Sequence, residues 1–172
     1  MTQSIFISGS AQGIGAAVAK LFYAKGYKVG IYDINAVQAQ KLASELGINA
    51  KAGLLDVANY ENWQKSLKEF SDWAGEINIL VNNAGILYSG AFENTDIQAH
   101  HRTININVNG VLNGCHAAFP YLKNASFARV INLSSASAIY GQADLISYSA
   151  SKFAVRSITE GLDVEWEKYG IR

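Results

Sequence analysis

A parallel β-sheet wound in both directions, with helices on both faces, is the fold class this sequence predicts. Three observations carry it. Five short runs rich in β-branched residues alternate along the chain with longer segments of helical period. A glycine-rich turn, "SGSAQGIG", joins the first run to the first periodic segment. Every other polar feature that stands out also falls where a strand candidate ends, and in an open parallel sheet that edge is the ligand crevice.

The strand candidates are "SIFIS" (4–8), "KVGIYD" (28–33), "AKAGLLDV" (50–57), "INILVNNAG" (77–85) and "ARVINLSS" (128–135). The helical segments between and after them are "GIGAAVAKLFYAKG", "NAVQAQKLASELG", "NYENWQKSLKEFSDWAG", a long stretch from about Asp96 to Leu122, and "SYSASKFAVRSITEGLDVEWEKYG". Ile14, Val18, Leu21 and Phe22 recur at helical spacing, while Gly26 and Gly47 stand where helices stop. No internal repeat or low-complexity linker interrupts the pattern, so residues 1–172 read as a single domain.

Composition narrows the function classes. Apolar residues make up 49% of the 172 and the formal net charge is +0, which describes a globular chain and argues against a nucleic-acid or anionic-membrane partner. The single cysteine, Cys115, allows no intrachain disulfide and no thiolate zinc cluster, and reads as a small packed residue. The start of the chain lacks a signal-peptide pattern, and no apolar run reaches membrane-spanning length. A cytoplasmic enzyme or binding protein for small molecules is the expectation. His100 and His101 are adjacent and with His116 make no metal-ligand spacing, so they read as solvated helix residues. Trp63, Trp73 and Trp166 read as packing on helix faces.

Gly9, Gly13 and Gly15 in the first turn suit a close approach of backbone to a pyrophosphate held by the free N–H groups of the following helix; a ligand-free glycine turn is the alternative. Asp33 ends the second strand, eighteen residues beyond Gly15, about where a dinucleotide fold places the acid that binds the adenosine ribose. A helix-capping aspartate is its alternative. A carboxylate ~4 Å from a 2′-phosphate would repel it by roughly 4 kcal/mol at an effective dielectric of about 20. With Gln12 in the turn and Ile34 after the acid, no base compensates, so NAD is expected over NADP.

"YSASK" places Tyr148 and Lys152 four residues apart, on one face of a helix. Taken alone the pair proves little. Taken with "SGSAQGIG", "LLDV" (54–57), "NNAG" (82–85), "INVNG" (106–110) and "LSS" (133–135), it makes the whole chain resemble the short-chain dehydrogenases/reductases, in their compact single-domain branch. The resemblance implies a Rossmann-type fold and an oxidoreductase interconverting a secondary alcohol and a ketone. Tyr148 would be the general acid/base, Lys152 its charge partner and a ligand of the nicotinamide ribose. A phenol ordinarily keeps its proton to pH about 10, and a unit positive charge ~5 Å away favours the phenolate by roughly 3 kcal/mol. Ser135, thirteen residues before Tyr148, would hold the substrate oxygen, its alternative being a cap on the next turn; that offset prefers it to Ser134. Asn107, chosen over Asn105 and Asn109 by its spacing to Gly110, would open the helix locally and anchor a water to Lys152, or serve structure alone.

Cofactor contacts implied by the same resemblance are Gly9, Ser10, Gln12, Gly13, Ile14 and Gly15 at the turn, Asp33, Asp56 and Val57 around the adenosine, and Asn83, Ala84, Gly85, Tyr148 and Lys152 toward the nicotinamide. A homodimer or homotetramer paired through the helices near 97–122 and 147–169 is implied too. Leu87, Tyr140, Leu145 and Ile146 suggest an apolar substrate wall. The family pattern continues past "EKYGIR" into a sixth strand and a lid, so the C-terminal part of the fold is expected to be missing and strand five to be an open edge. A dinucleotide sensor that does no chemistry is the competing reading.

Overall fold

In the computed structural model, which describes residues 2–172, five parallel strands lie in the order β3-β2-β1-β4-β5. They are β1 (Ser4–Ser8), β2 (Lys28–Asp33), β3 (Ala50–Leu54), β4 (Ile79–Asn82) and β5 (Arg129–Asn132). The helices are α1 (Gly13–Ala24), α2 (Ala36–Leu46), α3 (Tyr60–Ala74), α4 (Ile97–Ile104), α5 (Gly110–Lys123) and α6 (Ile146–Trp166). Alternate strand residues serve opposite faces. Ile5, Ile7, Val29, Ile31, Ile79 and Val81 pack under α1 and α2 with Ala19, Ala39 and Leu42. Phe6, Tyr32 and Leu80 meet Trp63, Leu67 and Phe70 of α3 and Ala118 and Leu122 of α5 on the other face. Both faces of β1, β2 and β4 are covered and these strands are mostly apolar, whereas β5 leaves Arg129 and Ile131 exposed.

Local chemistry sets the boundaries. Asn35 caps α2 by accepting from Gln38 N at 3.1 Å, and Asn59 caps α3 by accepting from Asn62 N at 2.9 Å. Strand three stops at Leu54, short of the expected Val57, because the Asp56 carboxylate captures Ala58 N at 3.0 Å and turns the chain. Strand four is four residues, not nine. At its start the Asn78 side chain takes over pairing, accepting from Ser4 N at 2.8 Å and donating to Phe127 O at 3.2 Å. At its end Asn83 N donates to Ser8 Oγ at 3.2 Å. Strand five ends at Asn132, before Ser134 Oγ reaches Lys152 O at 3.0 Å.

The long segment after β4 is one continuous helical rod broken in character. A π-helical stretch, Asn105–Asn109, separates α4 from α5. The outer edge of β5 is partly covered, contrary to the expected open edge: Ile171 bridges Ala128, and Val130 N donates to Arg172 O at 2.7 Å. Beyond that bridge Ile131 stays 43% exposed.

Candidate active site

The chain winds from β1 to β2 and β3 on one side and returns to β4 and β5 on the other, so the strand order reverses between β1 and β4. Loops leaving two neighbouring strands in opposite directions open a crevice there. A cavity of about 550 Å³ occupies it, lined by Gly9, Gln12, Ile14, Asp33, Asp56, Val57, Asn83, Ala84, Gly85, Tyr148 and Lys152 among others. These are eleven of the fourteen residues expected around a dinucleotide (14 − 3).

Of the three others, Ser10 and Gly15 are buried behind the cavity, and Gly13 is exposed at the start of α1. Ser10 is fully buried and its Oγ knits strand ends together, donating to Ile7 O at 2.8 Å and accepting from Tyr32 N at 2.9 Å. A Cβ on Gly15 would lie 2.5 Å from Gly9 O and 2.6 Å from Asn83 Nδ2, so only glycine lets α1 start against the turn. Gly13 opens α1 in the left-handed region, at φ 58°. Gly9, at φ 63°, brings the turn so close to the strand-four loop that a Cβ would sit 2.6 Å from Ala84 Cα. The Gln12 side chain caps none of the first-turn N–H groups of α1. That leaves a glycine cradle and free donors at a helix N-terminus, which suits a pyrophosphate.

Asp33 does two jobs. Its Oδ2 accepts from Ala11 N at 3.0 Å and its Oδ1 from Asn35 N at 2.9 Å, so it braces the glycine turn while lining the cavity. Asp56 is exposed at the far wall, beside Val57. The Val57 carbonyl accepts from Trp63 Nε1 and from Asn113 Nδ2, each at 3.1 Å, so Trp63 holds a cavity wall besides packing the core.

At the other end, Tyr148 and Lys152 occupy successive turns of α6, with Lys152 Nζ 5.6 Å from the Tyr148 ring centre. Lys152 is 6% exposed, and burial lowers the pKa of its ammonium from the ordinary lysine value. Its Nζ donates to Leu133 O at 2.7 Å, and among the described residues it forms no ion pair. An ammonium with three donors and one protein acceptor has capacity for a ligand hydroxyl.

Asn107 is buried in the π-helical stretch. Its Oδ1 accepts from Ile86 N at 2.8 Å, and its Nδ2 donates to Ile86 O at 2.9 Å and Ser151 Oγ at 3.0 Å. It therefore clamps the loop after β4 to α6. Ser151 Oγ in turn donates to Tyr148 O at 2.6 Å, the local bond of a helical serine to the carbonyl three residues before it. Ser135 stands at the start of a 3-10 turn (Ala136–Ala138), where its Oγ accepts from Ser137 N at 3.2 Å. Ser134, not Ser135, is among the residues lining the cavity.

Outside the cavity Cys115 is buried, a small packed residue as expected, and burial pushes its thiol pKa up to about 12. His100 corrects its sequence reading. It is half-buried, bonded to Ser147, and its ring lies 4.8 Å from that of Phe92. Tyr140 and Ile146 are 58% and 50% exposed, and of the expected apolar wall Leu87 reaches the cavity.

A parallel sheet with a glycine cradle at its switch point, a strand-end acid and a Tyr/Lys helix beside the same cleft defines a dinucleotide-binding oxidoreductase fold. The short chain dehydrogenase family model matches residues 3–172, and the chain belongs to that family. It is 33% identical to trans-4-hydroxycyclohexanecarboxylate dehydrogenase of Sinomonas cyclohexanicum, over 96% of this chain and 67% of that protein. It is 34% identical to a 3-alpha-(or 20-beta)-hydroxysteroid dehydrogenase of Mycobacterium bovis, over 96% of this chain and 64% of that one. The crystal structure of a gluconate 5-dehydrogenase from Burkholderia cenocepacia, in complex with NADP and tartrate, superposes with a TM-score of 0.92 at 30% identity, covering 99% of this chain and 68% of that one. The chain thus spans about two thirds of the length of these relatives.

Proposed function

We propose that this protein is an NAD-dependent oxidoreductase that interconverts a secondary alcohol and a ketone, with Tyr148 as the general acid/base. The observation that carries the reading is the pairing of Tyr148 with a buried, carboxylate-free Lys152 at one end of a cleft whose other end is a glycine cradle. The dinucleotide held there supplies or accepts the hydride. Lys152 stands one helical turn from Tyr148 and offers its remaining N–H donors to a ribose hydroxyl. Tyr148 takes the alcohol proton on oxidation and returns it on reduction. Ser135 keeps its hydroxyl proton free while its oxygen caps Ser137 N, so it is able to donate to the substrate oxygen and stabilise charge growing there. Asn107 holds Ile86 and Ser151 and thereby the geometry of both ends.

Asp33 supports NAD over NADP, because its carboxylate lines the cavity and already has two backbone donors fixing its place. The solved relative carries NADP, so cofactor choice is tested directly. Fluorescence titration is expected to give tighter binding of NADH than of NADPH by about tenfold or more, as a repulsion of roughly 4 kcal/mol reduced by screening allows; equal affinities would remove the NAD assignment. The Tyr148→Phe variant should bind NADH like wild type and lose at least roughly a hundredfold in turnover of cyclic secondary alcohols. Retained turnover would sink the acid/base role, and binding with no turnover in wild type would favour the sensor.

A further inference from the structure

We propose that His100 is a positioning residue for Tyr148, acting as a clasp that locks the strap after β4 to the first turn of α6. The inference rests on the catalytic reading of Tyr148 given above. Two loops flank the Tyr148 end of the cleft: residues 87–96, and residues 139–145 leading into α6. They are joined at two points. Gly90 N donates to Asp144 O at 2.9 Å, with Asp144 held in the left-handed region at φ 60°. The second point is His100 on α4. Its Nε2 faces Phe92 O at 3.4 Å, its ring covers Phe92, and its Nδ1 lies 2.5 Å from Ser147 Oγ.

A carbonyl oxygen only accepts, so Nε2 carries the proton in the neutral ring and Nδ1 accepts from the Ser147 hydroxyl. Ser147 immediately precedes Tyr148. The N-cap of α6, Leu145, contributes no side-chain cap, so the turn that presents Tyr148 is held at this end by its neighbours instead. Ser151 fixes the same turn from below through Tyr148 O. The phenol is therefore positioned from two sides, by Asn107 through Ser151 and by His100 through Ser147.

The test labels the full chain with 3-fluorotyrosine and follows fluorine resonances, the Tyr148 line being assigned by its loss in Tyr148→Phe. His100→Ala and Ser147→Ala should each shift the Tyr148 line, and the double variant should shift it no further. His100→Asn, which puts an amide where Nδ1 stood, should bring it back toward wild type. The line of Tyr27, packed edge-on against Phe22 on the opposite side of the sheet, should not move. An unmoved Tyr148 line in His100→Ala, additive shifts in the double variant, or a matching shift of Tyr27 would each overturn the clasp. In the activity arm, His100→Ala should lower kcat for cyclohexanol about fivefold or more with NADH affinity unchanged, in line with the coupling energies of directly bonded pairs. A wild type without turnover would defeat the proposed function, while the resonance arm would still decide the clasp.

Discussion

Asn107→Ala separates a structural clamp from a purely catalytic asparagine. The side chain makes three hydrogen bonds, two to the backbone of Ile86 and one to Ser151 Oγ. At roughly 1 kcal/mol net for each bond they amount to about 3 kcal/mol. Ile86 is half-buried, so water re-solvates part of what is lost, and a destabilisation of about 2–3 kcal/mol follows. For a chain of this size that is a fall of roughly 4–12 °C in Tm. Freeing Ile86 also loosens Asn83, Ala84 and Gly85 on the same loop, so NADH affinity should drop with stability. Calorimetry with and without NADH, alongside fluorescence titration, measures both. Asn107→Asp is the control: its carboxylate still accepts from Ile86 N but repels Ile86 O, so it should rescue little. A variant with wild-type Tm and wild-type NADH affinity but impaired turnover would refute the clamp, leaving a proton-relay role.

Two further perturbations test the fold around the site. The Tyr32 hydroxyl is buried without a hydrogen-bond partner among the described residues, its ring is stacked beside Phe6 at 4.3 Å, and burial raises its pKa above the ordinary phenol value. Tyr32→Phe keeps the ring and removes the orphan, so it should stabilise by about 1 kcal/mol and raise Tm by roughly 2–4 °C; a lower Tm would contradict the assignment. Glu76 accepts from Ser126 N and Ser126 Oγ, each at 2.9 Å, and the backbone bond foremost holds its carboxyl below the usual value. Its folded pKa is depressed, so its contribution is present above the unfolded carboxylate pKa of about 4.3 and is lost as pH falls through the folded value. Urea midpoints of wild type and Glu76→Gln should therefore converge on acidification below about pH 4; a constant gap from pH 6 to pH 2 would disprove it.

Much of the candidate site was legible because its signals are local. The glycine turn, Asp33 and the Tyr148/Lys152 pair are each defined by spacing within one strand–turn–helix or one helix, and spacing reports neighbours on a single element well. Strand ends were overestimated where a side chain displaced the backbone ladder, as Asn78 does before β4 and Asp56 after β3. His100 was misread because its partners, Ser147 and Phe92, lie on other elements, one of them 47 residues away. Ser151 was passed over for the same reason, its partner Asn107 being 44 residues distant.

The amino-acid order by itself determined the alternation of strands and helices, the strand edge at which polar residues gather and the family to which the chain belongs, because periodicity and turn chemistry act over a few residues. Only the tertiary structure decided which of those polar residues are already engaged: Ser135 capping a turn, Asp33 bracing the glycine loop, Asn107 clamping Ile86, and Lys152 buried and donating to Leu133 O. Partnership of that kind depends on how separate elements pack, and the satisfaction of a buried polar group is set by whatever the fold brings within about 3 Å of it.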